Sequence, residues 1–149
     1  MEAAKVEGLS DGVFSVAMTL LIYQVEIPDF AEGKTNAELL QDLGKLWPYY
    51  ISLFTSFFTI LIMWVNHHGI FRMVDKINSH FLFANSFLLF LVTVVPYPTA
   101  MVGEFLLTPS ANAACAVYAG IFGIINNVYA SLGICMALWI YWAFIMKID

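Results

Sequence analysis

Hydrophobic positions fall into four long blocks separated by short polar breaks, and no alternation of period two recurs within them. No charge lies between Lys45 and Arg72, between Lys76 and Glu104, or between Glu104 and Lys147. Each gap exceeds the roughly 20 residues that cross a bilayer as a helix. Without a strand-period pattern, helices are the spanning element. The pattern predicts an all-α, polytopic membrane protein with four spans, near residues 10–27, 47–71, 80–102 and 110–146.

The first block is headed by Asp11 and stopped by Pro28, with Ser15, Thr19 and Gln24 further in. Polar groups at membrane depth are costly and normally face protein or water, so this helix is expected inside an assembly. The acid at its head, with no basic run before it and no small-residue cleavage site after it, argues against a cleaved signal peptide. In the second block Trp47, Tyr49 and Tyr50 form an interfacial aromatic belt, Pro48 suits a first helical turn, and His67 and His68 come near the far end. Pro96-Tyr97-Pro98 should kink or end the third span. Residues 110–146 would make a single helix about 55 Å long. One long helix is expected there, tilted or interrupted near Asn126-Asn127 or Gly133, with a surface segment at its start as the alternative. Between the first two spans, Asn36 to Leu43 reads as a short amphipathic helix.

Composition sharpens this picture. The chain is 61% hydrophobic and 11% charged, less than half the charge of a typical soluble domain at about 25%. Its net charge of −5 is spread unevenly, and between Glu26 and Lys45 the acids Glu26, Asp29, Glu32, Glu38 and Asp42 face only Lys34 and Lys45. Lys5, Arg72, Lys76 and Lys147 fall on the side of the N-terminus, against Lys34 and Lys45 on the other, which predicts a cytoplasmic N-terminus. The acidic linker then lies outside, where it attracts cations. There is no basic cluster to hold nucleic acid or anionic lipid. Cys115 and Cys135 would stand about 30 Å apart on one helix, too far to bridge, and read as small buried apolar residues.

Candidate chemistry centres on the first helix. At about 100° per residue, Val16, Leu20, Tyr23 and Ile27 fall in a stripe roughly 60° wide, with Thr19 at its flank and Gly12 continuing it inward. Ser10 and Asp11 project from the other side, about 120–140° from Val16. Such a stripe also suits plain helix packing. Asp11 has Glu7 four residues earlier, a like-charge neighbour, and Lys5 six residues away cannot pair with it along a regular helix. Donors from another span should reach it, and His67, His68, Arg72 and Asn85 are the candidates. His67, His68 and His80 do not make a metal site, because adjacent histidines on a helix point about 100° apart. They read instead as hydrogen-bonding groups at the inner interface. The chain shows no phosphate loop, no HExxH, no GxSxG and no TVGYG filter, so neither an enzyme nor the usual carbonyl-filter channel is expected.

The run from Lys5 to Phe14 resembles the RxxxFSD signature that opens the first helix of the transmembrane protein 175 (lysosomal/endosomal-type) potassium channel family. Trp64-Val65-Asn66-His67-His68-Gly69-Ile70-Phe71-Arg72 resembles that family's tryptophan–histidine segment, and Asn85 with the apolar run to Pro96 resembles its third helix. The resemblance to the bacterial single-repeat type implies a potassium-permeable channel of identical subunits, a homotetramer in the bacterial plasma membrane, with potassium as the permeant ion and no cofactor. By distance from the motif aspartate, its pore-constricting positions fall on Val16, Thr19, Leu20 and Tyr23. Its motif network is implied at Lys5, Leu9, Ser10, Asp11, His67, His68 and Asn85. Lys5 stands where the motif has arginine and Leu9 where it has phenylalanine, and Tyr23 replaces an aliphatic residue. The family repeat has six spans against the four counted here, which implies that two C-terminal helices are lacking. Two alternatives stay open: a small proton-coupled transporter with Asp11 and His67 as titrating groups, and a non-conducting structural membrane protein.

Overall fold

The computed structural model describes residues 3–25, 35–73 and 78–145, with side chains described as far as Val128. The linker residues Glu26, Asp29, Glu32 and Lys34, together with Ile27, Pro28, Lys76 and Lys147, lie outside the described residues, as do the side chains around Gly133 and Cys135. Every regular element among the described residues is helical.

Helix α1 spans Ala3–Leu20 and tightens into a 3₁₀ turn over Leu21–Gln24, after which Val25 turns to extended backbone. This corrects the expected start at residue 10. Ala3 and Ala4 are strong helix formers, and the one weak helix former between them and Asp11, Gly8, costs only about 1 kcal/mol, so Asp11 sits in the third turn rather than at the head. Helix α2, Asn36–Lys45, is closed at its start by a capping box. Thr35 N–H donates to Glu38 Oε2 at 2.8 Å, and Thr35 Oγ1 accepts from Glu38 N–H at 3.4 Å. One residue, Leu46, joins α2 to α3, Trp47–Phe71, which carries Pro48 in its first turn.

Helix α4, Ser79–Val94, starts at Asn78, whose Oδ1 accepts from Phe81 N–H at 2.7 Å. The prolines interrupt the helix at Val95 without ending the span. Val95 keeps αR geometry and α5, Pro96–Phe105, continues beyond it, so the apolar span runs Ser79–Phe105. Pro96 and Pro98 occupy the first turn of the second segment, where free N–H groups would be unpaired anyway. Helix α6 runs unbroken over Ala111–Ile145, through Asn126-Asn127. Among the described residues, four helices are long and apolar enough to cross a membrane.

Helix α1 packs against α3 and α4, and α5 packs against α3, α6 and the Leu21–Gln24 turn. The core between them is made by Phe14, Leu21, Ile60, Leu88, Val92 and Ile125, all fully buried. Gly103 lets α5 approach α3 closely: a Cβ there would stand 2.6 Å from Tyr49 Cδ1. One turn deeper, Ser56 Oγ lies 2.7 Å from Thr99 Oγ1 and 3.0 Å from Tyr118 Oη, tying α3, α5 and α6 together. Thr99 also donates to the carbonyl of Val95 at 2.8 Å, at the junction of α4 and α5. Cys115 is exposed on α6, not buried as its residue type suggested, because α6 offers that face to no other described helix.

Candidate functional site: the two faces of the first helix

The sequence of α1 gives it two unlike faces. Val6, Ser10, Phe14, Ala17 and Leu21, spaced by three and four residues, form its buried ridge. Opposite them, Val16, Leu20 and Tyr23 are 55%, 44% and 80% exposed. The stripe picked out by periodicity therefore points away from the protomer's own core. Thr19 lies at its flank toward α3, exposed, with its hydroxyl donating to the carbonyl of Val16 at 2.8 Å.

The buried ridge carries a polar relay. Ser10 donates to the carbonyl of Val6 at 2.9 Å, so toward α4 it can only accept, and it accepts from Asn85 Nδ2 at 3.1 Å. Asn85 Oδ1 in turn lies 2.8 Å from His67 Nε2. A carbonyl oxygen only accepts, so this assigns the proton of neutral His67 to Nε2. The remaining nitrogen, His67 Nδ1, is buried without a partner among the described residues. The imidazole is held between Phe14, with ring centroids 5.2 Å apart, and Phe71, at 4.7 Å. Three helices are thus joined in order: Ser10 of α1, Asn85 of α4 and His67 of α3.

A second set of contacts flanks the relay on the α3 side. Trp64 Nε1–H donates to Asp11 Oδ1 at 2.8 Å. Glu7 Oε1 lies 2.8 Å from His68 Nδ1 but out of line for a hydrogen bond, so the contact acts as an ion pair when His68 is protonated. The His68 ring stacks on Trp64, with centroids 6.1 Å apart and planes 29° from parallel. Trp64 and His68 are one turn apart on α3 and thus share the face turned to α1.

Several expectations are corrected here. The donor to Asp11 is the indole of Trp64 and none of the four groups expected to reach it. His68 meets Glu7 instead, Asn85 and His67 bond each other, and Arg72 is exposed at the end of α3. Leu9 takes no part in the polar network: it is 65% exposed and lines a shallow groove with Gly12, Val16 and Thr93. Lys5 is exposed one turn before it, and His80 is exposed at the start of α4. The sequence reading missed the donor role of Trp64, although the residue stands in the tryptophan–histidine segment. It also missed the Ser56–Thr99–Tyr118 cluster, whose members lie far apart along the chain and carry no motif.

The arrangement is that of an anchored helix with a free apolar face, and its residues have counterparts in known proteins. A family model described as endosomal/lysosomal potassium channel TMEM175 matches residues 5–96. A potassium channel of Chamaesiphon minutus is 45% identical over 131 residues, covering 88% of this chain and 64% of that protein. A potassium channel of Streptomyces collinus is 43% identical over 118 residues, covering 78% of this chain and 56% of that one. In Gallus gallus the endosomal/lysosomal proton channel TMEM175 is 39% identical over 77 residues, covering 48% of this chain and 15% of that one. The chain therefore spans little more than half of the length of the bacterial relatives. Among solved structures, the lysosomal potassium-selective channel TMEM175 homolog from Chamaesiphon minutus superposes with a TM-score of 0.82 at 44% identity, over 87% of this chain and 69% of that one. The family match begins at Lys5 and takes in α1, α3 and α4, the three helices that the Ser10–Asn85–His67 relay joins, and with it the chain belongs to the TMEM175 family.

Proposed function

We propose that four copies of this protein form a potassium-permeable cation channel in a bacterial plasma membrane, with α1 of each copy around a central pore and the N-terminus on the cytoplasmic side. The observation that carries the reading is the orientation of α1. Its buried ridge fits the protomer, while Val16, Leu20 and Tyr23 face outward in one line. Rings of Val16 and Leu20, about 6 Å apart along the axis, would make an apolar constriction that gates partly by dewetting. Thr19 beside them would offer hydroxyl oxygens to a partly dehydrated ion, and Tyr23 would bring a phenol to the outer end. The polar relay through Ser10, Asn85 and His67, with the Trp64–Asp11 bond, acts as the anchor that keeps the stripe turned to the axis. No cofactor enters this account, since permeation needs only the pore and the ion.

The relatives in bacteria are named potassium channels and those in vertebrates proton channels. The test is ion flux through the purified protein in liposomes, with potassium and proton arms read separately by an ion-selective dye and a pH dye. Potassium flux that exceeds sodium flux and changes in Val16→Ala or Leu20→Ala is expected. Flux and selectivity unaltered by both substitutions would remove the stripe from the pathway.

A further inference from the structure

One polar side chain stands where neither protomer nor lipid serves it. Tyr97 is 65% exposed at the start of α5, and its hydroxyl meets no hydrogen-bond partner among the described residues. Its depth follows from the hydroxyl cluster. The Ser56–Thr99 bond sets Thr99 level with Ser56, and Tyr97 lies two residues, about 3 Å, further toward the cytoplasmic side. That puts it level with Phe57 and Phe58, about 10 Å below the interfacial belt of Tyr49 and Tyr50. Hydrocarbon at that depth offers no hydrogen-bond partner, and an unmet hydroxyl there is costly.

A matching recess lies at the same level on the other flank of the molecule. Between α1 and α3, Met18, Thr19, Ile22, Leu53, Phe54 and Phe58 line an open groove of about 480 Å³. Its walls are apolar apart from Thr19. The Thr19 hydroxyl spends its proton on the carbonyl of Val16, which leaves its oxygen free to accept. The groove wants one donor at the end of an aromatic ring, and Tyr97 is such a donor.

The two features sit on opposite flanks of the exposed stripe. Helix α3 borders α1 at Thr19 on one side; on the other, Thr93 of α4 lines a groove with Gly12 and Val16, and Tyr97 lies one turn beyond Thr93 on the segment that continues α4. If the stripe faces a symmetry axis, a closed ring requires the α3 flank of each copy to meet the α4–α5 flank of the next, a head-to-tail contact. We infer that Tyr97 of each protomer seats in the α1–α3 groove of its neighbour and donates its hydroxyl hydrogen to the neighbouring copy's Thr19. This rests on the tetrameric pore reading and deepens it, because the contact fixes the orientation of a threonine placed beside the pore.

The test uses the full chain with Cys115→Ser and Cys135→Ser, into which Tyr97→Cys and Phe58→Cys are introduced together. Mild oxidation in liposomes should give a ladder of covalent dimers, trimers and tetramers on a denaturing gel, which neither single cysteine gives alone. Subunit number is measured in parallel by native mass spectrometry on the unmutated protein. A tetramer that conducts but yields no ladder overturns the seating and leaves the pore reading intact, whereas a monomer overturns both. As a second readout, Tyr97→Phe and Thr19→Ala should each speed subunit dissociation about fivefold, the scale of one hydrogen bond. The double variant should be no faster than either single variant, and multiplicative effects of the two would refute the shared bond.

Discussion

Asn85→Leu is the most direct test of how α1 is anchored. The substitution nearly preserves volume but deletes two interhelical contacts, the 2.8 Å bond with His67 and the 3.1 Å bond with Ser10. Interhelical hydrogen bonds in membranes contribute about 0.6 kcal/mol on average and up to about 1.7. Ser10 keeps its bond to the carbonyl of Val6, so its loss is small. His67 fares worse. Its Nδ1 has no partner among the described residues, so the variant leaves the whole buried imidazole without one there, between two phenyl rings. A buried N–H left unsatisfied costs about 1–3 kcal/mol, and the sum is about 2–4 kcal/mol of protomer stability, or roughly a 30- to 1000-fold shift in the folded population.

Reversible unfolding in mixed micelles, followed by circular dichroism as the denaturing detergent is titrated, measures this. His67→Phe combined with Asn85→Leu should recover much of the loss, since removing both partners leaves no orphan. An Asn85→Leu variant as stable as the parent would refute the relay as an anchor. Strict additivity between the His67 and Asn85 substitutions would also refute it, because groups in direct contact must couple.

The remaining predictions probe the other contacts. Phe14→Ala should cost about 3–5 kcal/mol because the ring is fully buried, while Val16→Ala, two residues on but facing outward, should leave protomer stability within about 0.5 kcal/mol and alter conduction. Trp64→Phe removes the donor to a half-buried carboxylate and should cost about 1.5–3 kcal/mol, with Asp11→Asn milder in the same unfolding assay. Gly103→Ala drives a methyl group into Tyr49 and should cost about 1–3 kcal/mol, a loss that Tyr49→Leu relieves in the double variant.

Much of the architecture can be read from the sequence because hydrocarbon leaves few choices. A charge-free run of membrane length must be a helix, and the last three spans follow from the spacing of charges alone, while the first is read from its apolar block between Asp11 and Pro28. The stripe on α1 is legible for a similar reason: a fixed period of 3.6 decides which residues share a line, whatever surrounds the helix. What periodicity does not reveal is which neighbour a face meets. Ser10 and Asp11 adjoin one another in sequence and were expected on a common anchoring side, yet Ser10 turns to Asn85 of α4 and Asp11 to Trp64 of α3. The choice between them depends on how α3 and α4 wedge against α1, a tertiary fact. The Ser56–Thr99 pair was invisible for the same reason, since single hydroxyls in apolar helices usually satisfy themselves on their own backbone, as Thr19, Thr59 and Thr93 do. The start of α1 at Ala3, ahead of the expected span, has the same kind of cause: charge at a membrane edge ends the span without ending the backbone hydrogen bonding.

The two faces of α1 also explain why a polar anchor is needed. In water a helix with one apolar face finds its orientation by burying that face. In a bilayer that force is absent, because lipid tails are as apolar as the side chains. A helix that must keep Val16, Leu20 and Tyr23 out of the protomer core cannot rely on hydrophobicity to do so, since Phe14, Ala17 and Leu21 on the opposite face are equally apolar. Rotation by about a third of a turn would exchange one apolar face for the other at little cost in transfer energy. The same rotation would carry Ser10 from Asn85 and Asp11 from Trp64 into hydrocarbon, where each unmet polar group is expensive. The polar contacts, all within the inner half of the helix, thus select one rotation among several of similar apolar burial. Replacing Ser10 and Asp11 together with alanine should therefore leave a helical, membrane-inserted chain whose α1 has lost its preferred orientation. Cysteine accessibility at position 16 and position 17 would then converge, and retention of the wide difference between those two neighbours would show that packing alone holds the helix.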